Sequence, residues 1–429
     1  MAYLLCLVYV VIVYVRPAEI VPQWASLPIA QTAGVVGAVV AAFSVYLRPR
    51  PVLNSPVDWC FIGFCLASIV SNPANGWFGG GYVAFLDLLP LACFYFLVRL
   101  TVETRRQLRG LIVLLVALSL FQAVNGIVQY HTGTGIGGST AIADRVQTED
   151  ESGEPARIMR IRGTGIFNDP NDLAMSMLVV FPFILTGILS PRPGVLRRMI
   201  GLAAIGVLGY ALYLTQSRGG FIGFAALSAA YLYRRTSRWL AIAAAVAIFA
   251  TVLAVGSRRG EVIDASEGSA QGRVQAWSAG IEMLKTNPLF GVGYDQFVEH
   301  HDRVAHNSFV HTFAETGMIG AYCLVGVFFY FLVGNGVRRN VSNAARSTLA
   351  RDIWASGIGV IACAWFLSRQ YIPVLYLPAA MGADRITVEQ DPDAQSPLLS
   401  AGDWTTVAVI TVVLLLVVYV LVRSLALWS

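Results

Sequence analysis

The sequence predicts an all-α, polytopic membrane protein, and three observations support this. Of the 429 residues, 56% are hydrophobic and 13% are charged, whereas a soluble domain has roughly a quarter charged residues. The mean hydropathy is +0.64. The apolar residues also occur in blocks of about 15–25 residues, the length that crosses a bilayer as a helix. We therefore expect a single integral-membrane domain over residues 1–429.

Twelve apolar blocks predict about twelve transmembrane helices. The blocks are 3–15, 27–47, 57–71, 82–98, 109–129, 173–190, 199–215, 219–233, 239–256, 309–333, 350–371 and 404–422. The first, third and eighth blocks are short for a span. The first block has no basic start, and Arg16-Pro17 follows it instead of a small-residue cleavage pattern. We interpret it as an uncleaved span rather than a signal peptide.

The arginines between the blocks predict the orientation of the chain. Each connection after an even-numbered block is short and basic. The positive-inside rule makes these connections cytoplasmic, and with them both termini. The longer connections 130–172, 257–308 and 372–403 are then outer loops, and they carry most of the acidic residues. Because topology and contact with anionic membrane lipid explain the basic runs, no nucleic-acid partner is expected.

The end of the 130–172 loop combines a helix start with candidate ligand contacts. Asp169 followed by Pro170 is typical of an N-cap residue and a first helical residue. Asn168 and Asn171 flank this cap and are candidates for substrate contact. Three arginines alternate before it: Arg157, Arg160 and Arg162. These arginines either pair with the acids of their own loop or bind an anion.

A very tight outer turn between the seventh and eighth spans contains Arg218, followed by Gly219 and Gly220. An arginine on the outer side runs against the positive-inside trend, so it needs an anionic partner. A structural salt bridge and the recognition of a ligand anion both meet this need. The two glycines, which allow a ligand to come close, favour the second.

The 257–308 loop contains the pattern of an amphipathic helix. Val274, Trp277, Ile281 and Leu284 recur at helical spacing, and Asn287-Pro288 ends the pattern. Such a helix lies on the membrane surface or packs over the helix bundle. We place Arg273 at its start, where the backbone amides of a helix N-terminus also favour an anion.

Polar residues lead directly into the tenth span, which begins near Phe309. His306 and Asn307 precede it, and His311 and Glu315 share one helical face. Ionisable groups at a membrane boundary are costly unless water, a partner or a substrate compensates them. The segment 305–320 is therefore the first place to look for chemistry.

The histidine spacing does not predict a metal site. His300 and His301 are adjacent, and no HExxH pattern exists. The acidic run at 391–393 resembles a sugar-nucleotide metal motif only superficially, and a solvated loop explains it better. We expect no metal and no other cofactor. Outer arginines instead suit a phosphate or diphosphate, and a histidine can take a proton from a hydroxyl near neutral pH. A transfer of a group from a lipid-linked phosphate would use both the anion-binding arginines and the proton-accepting histidine.

Five segments resemble the bacterial O-antigen ligase and polymerase superfamily, which are integral-membrane glycosyltransferases with a GT-C-type helical fold. The segments are Gly163-x-Gly-Ile-Phe-Asn168-x-Pro170-Asn171, Ser217-Arg218-Gly219-Gly220, Arg273 with Trp277, Asn287-Pro288-Leu289-Phe290-Gly291-x-Gly293, and His306-Asn307 followed by Gly317-x-x-Gly320. Together they span about residues 163–320. Outside this range only the hydrophobic pattern is similar.

The resemblance implies a metal-independent glycosyltransferase in the bacterial inner membrane with a periplasmic active site. The donor would be a glycan on undecaprenyl diphosphate, and the acceptor lipid A-core, another glycan or a protein. Arg218 and Arg273 would bind the diphosphate, and His306 would activate or position the acceptor. The further candidates for substrate binding are Arg162, Asn168, Asn171, Asn307, His311 and Glu315.

Two other classes of function remain open. A transporter or flippase of the same lipid-linked sugar would place ionisable residues near the midplane of several helices. The spans here are nearly free of charge at their centres. A non-catalytic membrane scaffold would not explain why His306 occurs together with Arg218 and Arg273.

Overall fold

The protein is described by a computed structural model, and its described part is almost wholly helical. It covers residues 1–24, 26–27, 29–47, 53, 55–149, 155–190, 194–233, 235, 239, 242–243, 246–247, 264–336, 344–382 and 401–426. Seven helices in these ranges are long and apolar enough to cross a membrane, and two further apolar helices are shorter. The all-α, polytopic membrane fold is thus confirmed.

The helices follow the hydrophobic blocks closely. In chain order they are α1 (Ala2–Val15), α2 (Pro17–Ile20), α3 (Ile29–Leu47), α4 (Pro56–Ala74), α5 (Phe78–Thr101), α6 (Arg105–Thr132), α7 (Pro170–Ile188), α8 (Val195–Thr215), α9 (Arg218–Tyr233), α10 (Asp264–Thr286), α11 (Phe297–His300), α12 (Ser308–Gly336), α13 (Ala344–Ala364), α14 (Pro373–Ala380) and α15 (Ala401–Ala426). The block 239–256 lies mostly outside the described residues.

The loop after α6 contains a small β-hairpin that the sequence analysis does not predict. Strands β1 (Ile142–Glu149) and β2 (Pro155–Arg160) pair antiparallel, with Ile142 opposite Arg160. Backbone pairing stabilises the hairpin although few apolar residues mark it. Its second strand leads directly into the segment before α7.

Helix α14 lies in a region expected to be an outer loop, 372–403. All eight of its residues are buried, and the helix packs against α5, α7 and α13. Its sequence is wholly apolar but too short to cross a bilayer, so hydropathy alone does not identify it. Residues 373–380 of this connection therefore form a buried helix, while 383–400 lie outside the described residues.

Helix α12 is interrupted at Gly317, whose φ is 63° and ψ −161°. The interruption turns backbone groups outward, and the loop after α10 pairs with them. The N–H groups of Val292 and Gly293 donate to the carbonyls of Ala314 and Glu315 at 2.8 and 3.0 Å. The N–H of Met318 donates in return to Pro288 O at 2.9 Å. Non-helical backbone within a membrane domain is tolerated because protein satisfies its polar groups in this way.

Small and amide residues hold this loop against the end of α4. A Cβ on Gly291, whose φ is 66°, would overlap Ala314 O. Asn75 donates its side-chain N–H to Gly291 O at 2.8 Å, and Ser71 Oγ accepts from the N–H of Tyr294 at 2.8 Å. The glycines of the segment 287–293 therefore have a packing role.

Two buried ion pairs lie at the helix ends away from this loop. Arg99 Nε is 2.9 Å from Asp58 Oδ1, between the end of α5 and the start of α4. Arg235 Nη2 is 3.3 Å from Asp352 Oδ1, between the end of α9 and the start of α13. Each charge has its counter-charge within the protein, so these pairs are structural.

Candidate functional site

The site lies where the start of α7, the turn between α8 and α9, and the start of α12 converge at one end of the bundle. Asp169 caps α7 as predicted, its side chain accepting from Asn171 N at 2.7 Å. Asn171 Oδ1 in turn accepts from Ser217 Oγ at 2.7 Å and from Arg160 Nη2 at 3.2 Å. These bonds join α7 to the turn that carries Arg218. Asn168 is exposed beside the cap.

Two of the arginines before α7 contact backbone carbonyls. Arg160 Nε donates to Thr215 O at 2.9 Å, and Arg162 Nε donates to Thr140 O at 2.7 Å. The side chain of Arg157 lies outside the described residues. These contacts tie the segment before α7 to the outer turns beside the site.

Arg218 and Arg273 differ from these arginines because their charge is uncompensated. Within the ranges that the structure describes, no hydrogen bond or ion pair involves either guanidinium. Burial, and then the positive charge of Arg218, lower the pKa of Arg273. The two cations therefore lie close enough to repel each other. The structural salt bridge considered for Arg218 is absent from the described contacts.

The expected helix-end position of Arg273 is wrong. Helix α10 begins at Asp264, so Arg273 lies well inside it, away from the free amides of the first turn. The residues before Arg273 are small and polar and show no apolar period, so the pattern does not reveal the true start. The helix packs over the bundle, against α12 and α15, rather than apart from it.

The two glycines after Arg218 allow neighbouring segments to pack closely. Both are buried. A Cβ on Gly220 would lie 2.7 Å from Ala174 Cβ, and one on Gly219 would lie 3.3 Å from Phe366 Cβ. Close approach of α7 and α13 thus explains why the turn carries glycine, and Arg218 remains exposed at its edge.

His306 lies between two fixed residues just before α12. Its φ is 48°, a left-handed conformation that is uncommon for a residue other than glycine. On one side Trp277 Nε1 donates to Ala305 O at 2.8 Å. On the other, Asn307 Oδ1 accepts from the N–H groups of Phe309 and Val310 at 2.9 and 3.1 Å, so Asn307 caps α12.

The surroundings of His306 favour its neutral form. Burial, and then the charges of Arg273 and Arg369, lower the pKa of His306, against a smaller opposite effect of Asp169. An imidazole with a lowered pKa is unprotonated at pH 7 and can accept a proton. Arg273 and His306 are thus brought together, as the sequence predicts.

His311 and Glu315 form a buried pair one turn further along α12. His311 Nε2 is 2.9 Å from Glu315 Oε1, which also accepts from Phe297 N at 3.2 Å. The other carboxylate oxygen accepts from Tyr371 OH at 2.9 Å. Burial, and then Glu315, raise the pKa of Tyr371 well above its usual value, so the phenol remains a donor. Glu315 is 1% exposed and fully occupied, which gives it a supporting role.

Arg369 is a site residue that the sequence analysis does not identify. Its Nη2 is 3.1 Å from Asp169 Oδ2, and its Nε contacts Asp172 Oδ1. The eleventh apolar block extends to residue 371, so the sequence places Arg369 at the end of a transmembrane span and gives no sign of a functional role. Helix α13 stops earlier, at Ala364, and the connection after it turns back over α12. The polar triplet Ser368-Arg369-Gln370 is the one signal of this turn in the sequence.

The remaining histidines of the outer loop bind backbone. His300 Nδ1 is 2.9 Å from Gln296 O, and His301 Nδ1 is 2.9 Å from Arg303 O. Among the described residues, no group of three or more His, Cys, Asp or Glu side chains is arranged to hold a metal ion. The chemistry available at the site is therefore that of two unpaired guanidinium groups and one neutral imidazole.

Comparison with known proteins agrees with this picture. A family model described as O-antigen ligase matches residues 202–325. The matched segment contains Arg218, Arg273, His306, His311 and Glu315. No curated protein matches the chain.

Proposed function

We propose that this protein is a glycosyltransferase of the O-antigen ligase/polymerase type; the match of residues 202–325 to the O-antigen ligase family model supports this. The donor is a glycan carried on undecaprenyl diphosphate. The acceptor is a hydroxyl of lipid A-core, of another glycan or of a protein, on the periplasmic side of the bacterial inner membrane.

The observation that carries the proposal is the pair of uncompensated cations at Arg218 and Arg273 beside a neutral His306. Burial of the Arg273 charge beside a second cation is unfavourable, and a bound anion would compensate both charges. A diphosphate offers several oxygens at the right spacing for the planar fork of an arginine. Arg99 and Arg235 show that this protein otherwise pairs its buried arginines with carboxylates.

The reaction follows from these positions. The acceptor oxygen bonds to the anomeric carbon of the glycan while the bond from that carbon to the diphosphate oxygen breaks. His306 takes the proton of the acceptor hydroxyl, or positions that hydroxyl. Arg218 and Arg273 stabilise the charge that develops on the departing undecaprenyl diphosphate. When the diphosphate is bound, its negative charge raises the pKa of His306 and makes the imidazole a stronger base at the moment of attack.

The positions of the helix ends support the periplasmic side. Arg218, His306 and Arg369 lie at one end of the bundle, and the described arginines of the basic connections, such as Arg99, Arg197 and Arg235, lie at the other ends of their helices. A donor whose lipid remains in the bilayer would reach the site from the membrane. Transport is supported less, because the uncompensated charges lie at one end of the bundle rather than along a path through it.

The experiment is transfer by the purified protein from an undecaprenyl-diphosphate glycan to candidate acceptors, with the product detected by mass spectrometry. We expect His306→Ala and Arg218→Ala each to reduce transfer by about 100-fold or more. His300→Ala is the matched control, since His300 lies in the same loop and binds backbone only. Membrane insertion should be unchanged in all three. Transfer at the wild-type rate by both His306→Ala and Arg218→Ala would exclude the proposal.

A further inference from the structure

The backbone of His306 needs support, because its left-handed φ of 48° is unfavourable for a residue with a side chain. Such a conformation persists only where neighbouring contacts impose it. On the N-terminal side the contact is Trp277 with Ala305 O. On the C-terminal side it comes from Ser308 and the connection between α13 and α14.

Ser308 is joined to that connection by two hydrogen bonds. Its hydroxyl donates to Leu367 O at 2.6 Å and accepts from the backbone N–H of Arg369 at 2.9 Å. The side chain of Arg369 then reaches the start of α7, at Asp169 and Asp172. A continuous set of contacts therefore runs from α7 through Arg369 and Ser308 to the residue beside His306.

Arg369 is not equipped to be a third ligand of the diphosphate. Two carboxyl groups face its guanidinium, and its Nε and Nη2 are both occupied. Arg218 and Arg273 have no such partners among the described residues. The arginines of the site thus divide into two that are free to bind and one that is held.

We propose that Arg369 is a positioning residue: held by Asp169 and Asp172, it fixes the α13–α14 connection against the start of α12 and so holds His306 in its reactive place. This inference rests on the proposed glycosyl transfer, since it assigns His306 a place relative to the donor and the acceptor.

The charge of Arg369 adds a second effect on the same imidazole. The groups that act electrostatically on His306 are Arg273 on α10, Arg369, Asp169 before α7, and His311 on α12. Removal of the Arg369 charge also leaves Asp169 and Asp172 without the cation that pairs with them. Both changes favour the protonated imidazole, so the pKa of His306 rises when Arg369 becomes neutral.

The test compares Arg369→Gln and Arg369→Lys with Arg235→Gln as the matched control, because Arg235 is also paired with a buried aspartate but at the far end of α9. Transfer is measured from pH 5 to 9. For Arg369→Gln we expect kcat to fall about tenfold or more with little change in KM for the donor, and the acidic limb of the rate profile to move up by about one pH unit. Arg369→Lys keeps the charge and should keep the wild-type limb. In Arg235→Gln, kcat per folded molecule and the acidic limb of the rate profile should both be unchanged.

A second measurement does not depend on activity. Diethyl pyrocarbonate modifies neutral imidazoles, and the modification of His306 can be followed against pH by peptide mass spectrometry. We expect its midpoint to rise in Arg369→Gln and not in Arg235→Gln. An unchanged midpoint, or a loss of transfer in Arg369→Gln that only follows the loss of folded protein, would overturn the proposal. If the wild type transfers no glycan but the midpoint moves as expected, the proposed function fails, and only the electrostatic effect of Arg369 on His306 stands.

Discussion

Replacing Arg218 or Arg273 with glutamine should make the free protein more stable while weakening its binding of the diphosphate. Each guanidinium lacks a counter-charge among the described residues, and the two repel each other. Removing one relieves repulsion and, at Arg273, the burial of a charge, which we expect to be worth on the order of 1 kcal/mol. Loss of charge-assisted hydrogen bonds should weaken diphosphate binding by about 1.5–3 kcal/mol, or roughly 10- to 100-fold.

Thermal unfolding in lipid nanodiscs, with and without undecaprenyl diphosphate, measures both effects. At a ligand concentration about 100 times its Kd, the wild type should gain about 2.7 kcal/mol. At the same concentration, a variant with tenfold weaker binding gains about 1.4 kcal/mol, and one with 100-fold weaker binding about 0.4 kcal/mol. Arg235→Gln should show the reverse: lower stability without ligand, because Asp352 loses its cation, and an unchanged gain with ligand.

Two results would refute this reasoning. If Arg218→Gln and Arg273→Gln are less stable than the wild type without ligand, the arginines are structural and their charges are compensated. If the variants gain as much stability from undecaprenyl diphosphate as the wild type does, the diphosphate binds elsewhere.

Three further predictions concern the start of α12. The transfer rate should be constant above neutral pH and fall below about pH 6.5, since the pKa of His306 is lowered from its usual value and protonation removes the base; a rate that rises towards acid pH would contradict this. Asn307→Ala should lose about 0.5–2 kcal/mol of unfolding free energy in denaturant titrations and Asn307→Asp much less, because aspartate can also cap the helix. Gly317→Ala should reduce the yield of folded protein in size-exclusion chromatography, because the φ of 63° is unfavourable for alanine and the backbone of Leu289 overlaps the Cβ position. Gly334→Ala is the control and should fold normally, since no atom lies near its Cβ position. Equal yields would argue against the packing described.

The membrane fold is readily predicted because hydropathy depends only on local composition. Every apolar block that falls in the described ranges corresponds to a helix, although the block 350–371 extends beyond the end of α13 at Ala364. What local composition cannot show is where backbone polar groups find partners far along the chain. The break at Gly317 is stable because residues 288–293 bond to it, and Val292 and Ala314 are paired by folding rather than by any sequence pattern. The buried α14 escapes prediction for a related reason, since a short apolar segment can be either a loop or a packed helix.

The candidate site divides in the same way. Arg218 and His306 stand out because an arginine on the outer side and a histidine at a span boundary contradict the trend around them. Arg369 does not, because its partners Asp169 and Asp172 are about 200 residues away and it stands at the end of an apolar block. The contact of Arg162 is hidden from the sequence for a similar reason, since a backbone carbonyl as its partner leaves no trace there.

The loop after α10 bonds to α12 on both sides of the interruption at Gly317. Before it, Ala314 O and Glu315 O accept from the loop, and after it, Met318 N and Ile319 N donate to Pro288 O and Leu289 O. The turns that carry His311 and Glu315 are held a second time through Tyr371. A tilt of the apolar part of α12 in the bilayer would therefore act on this loop as well.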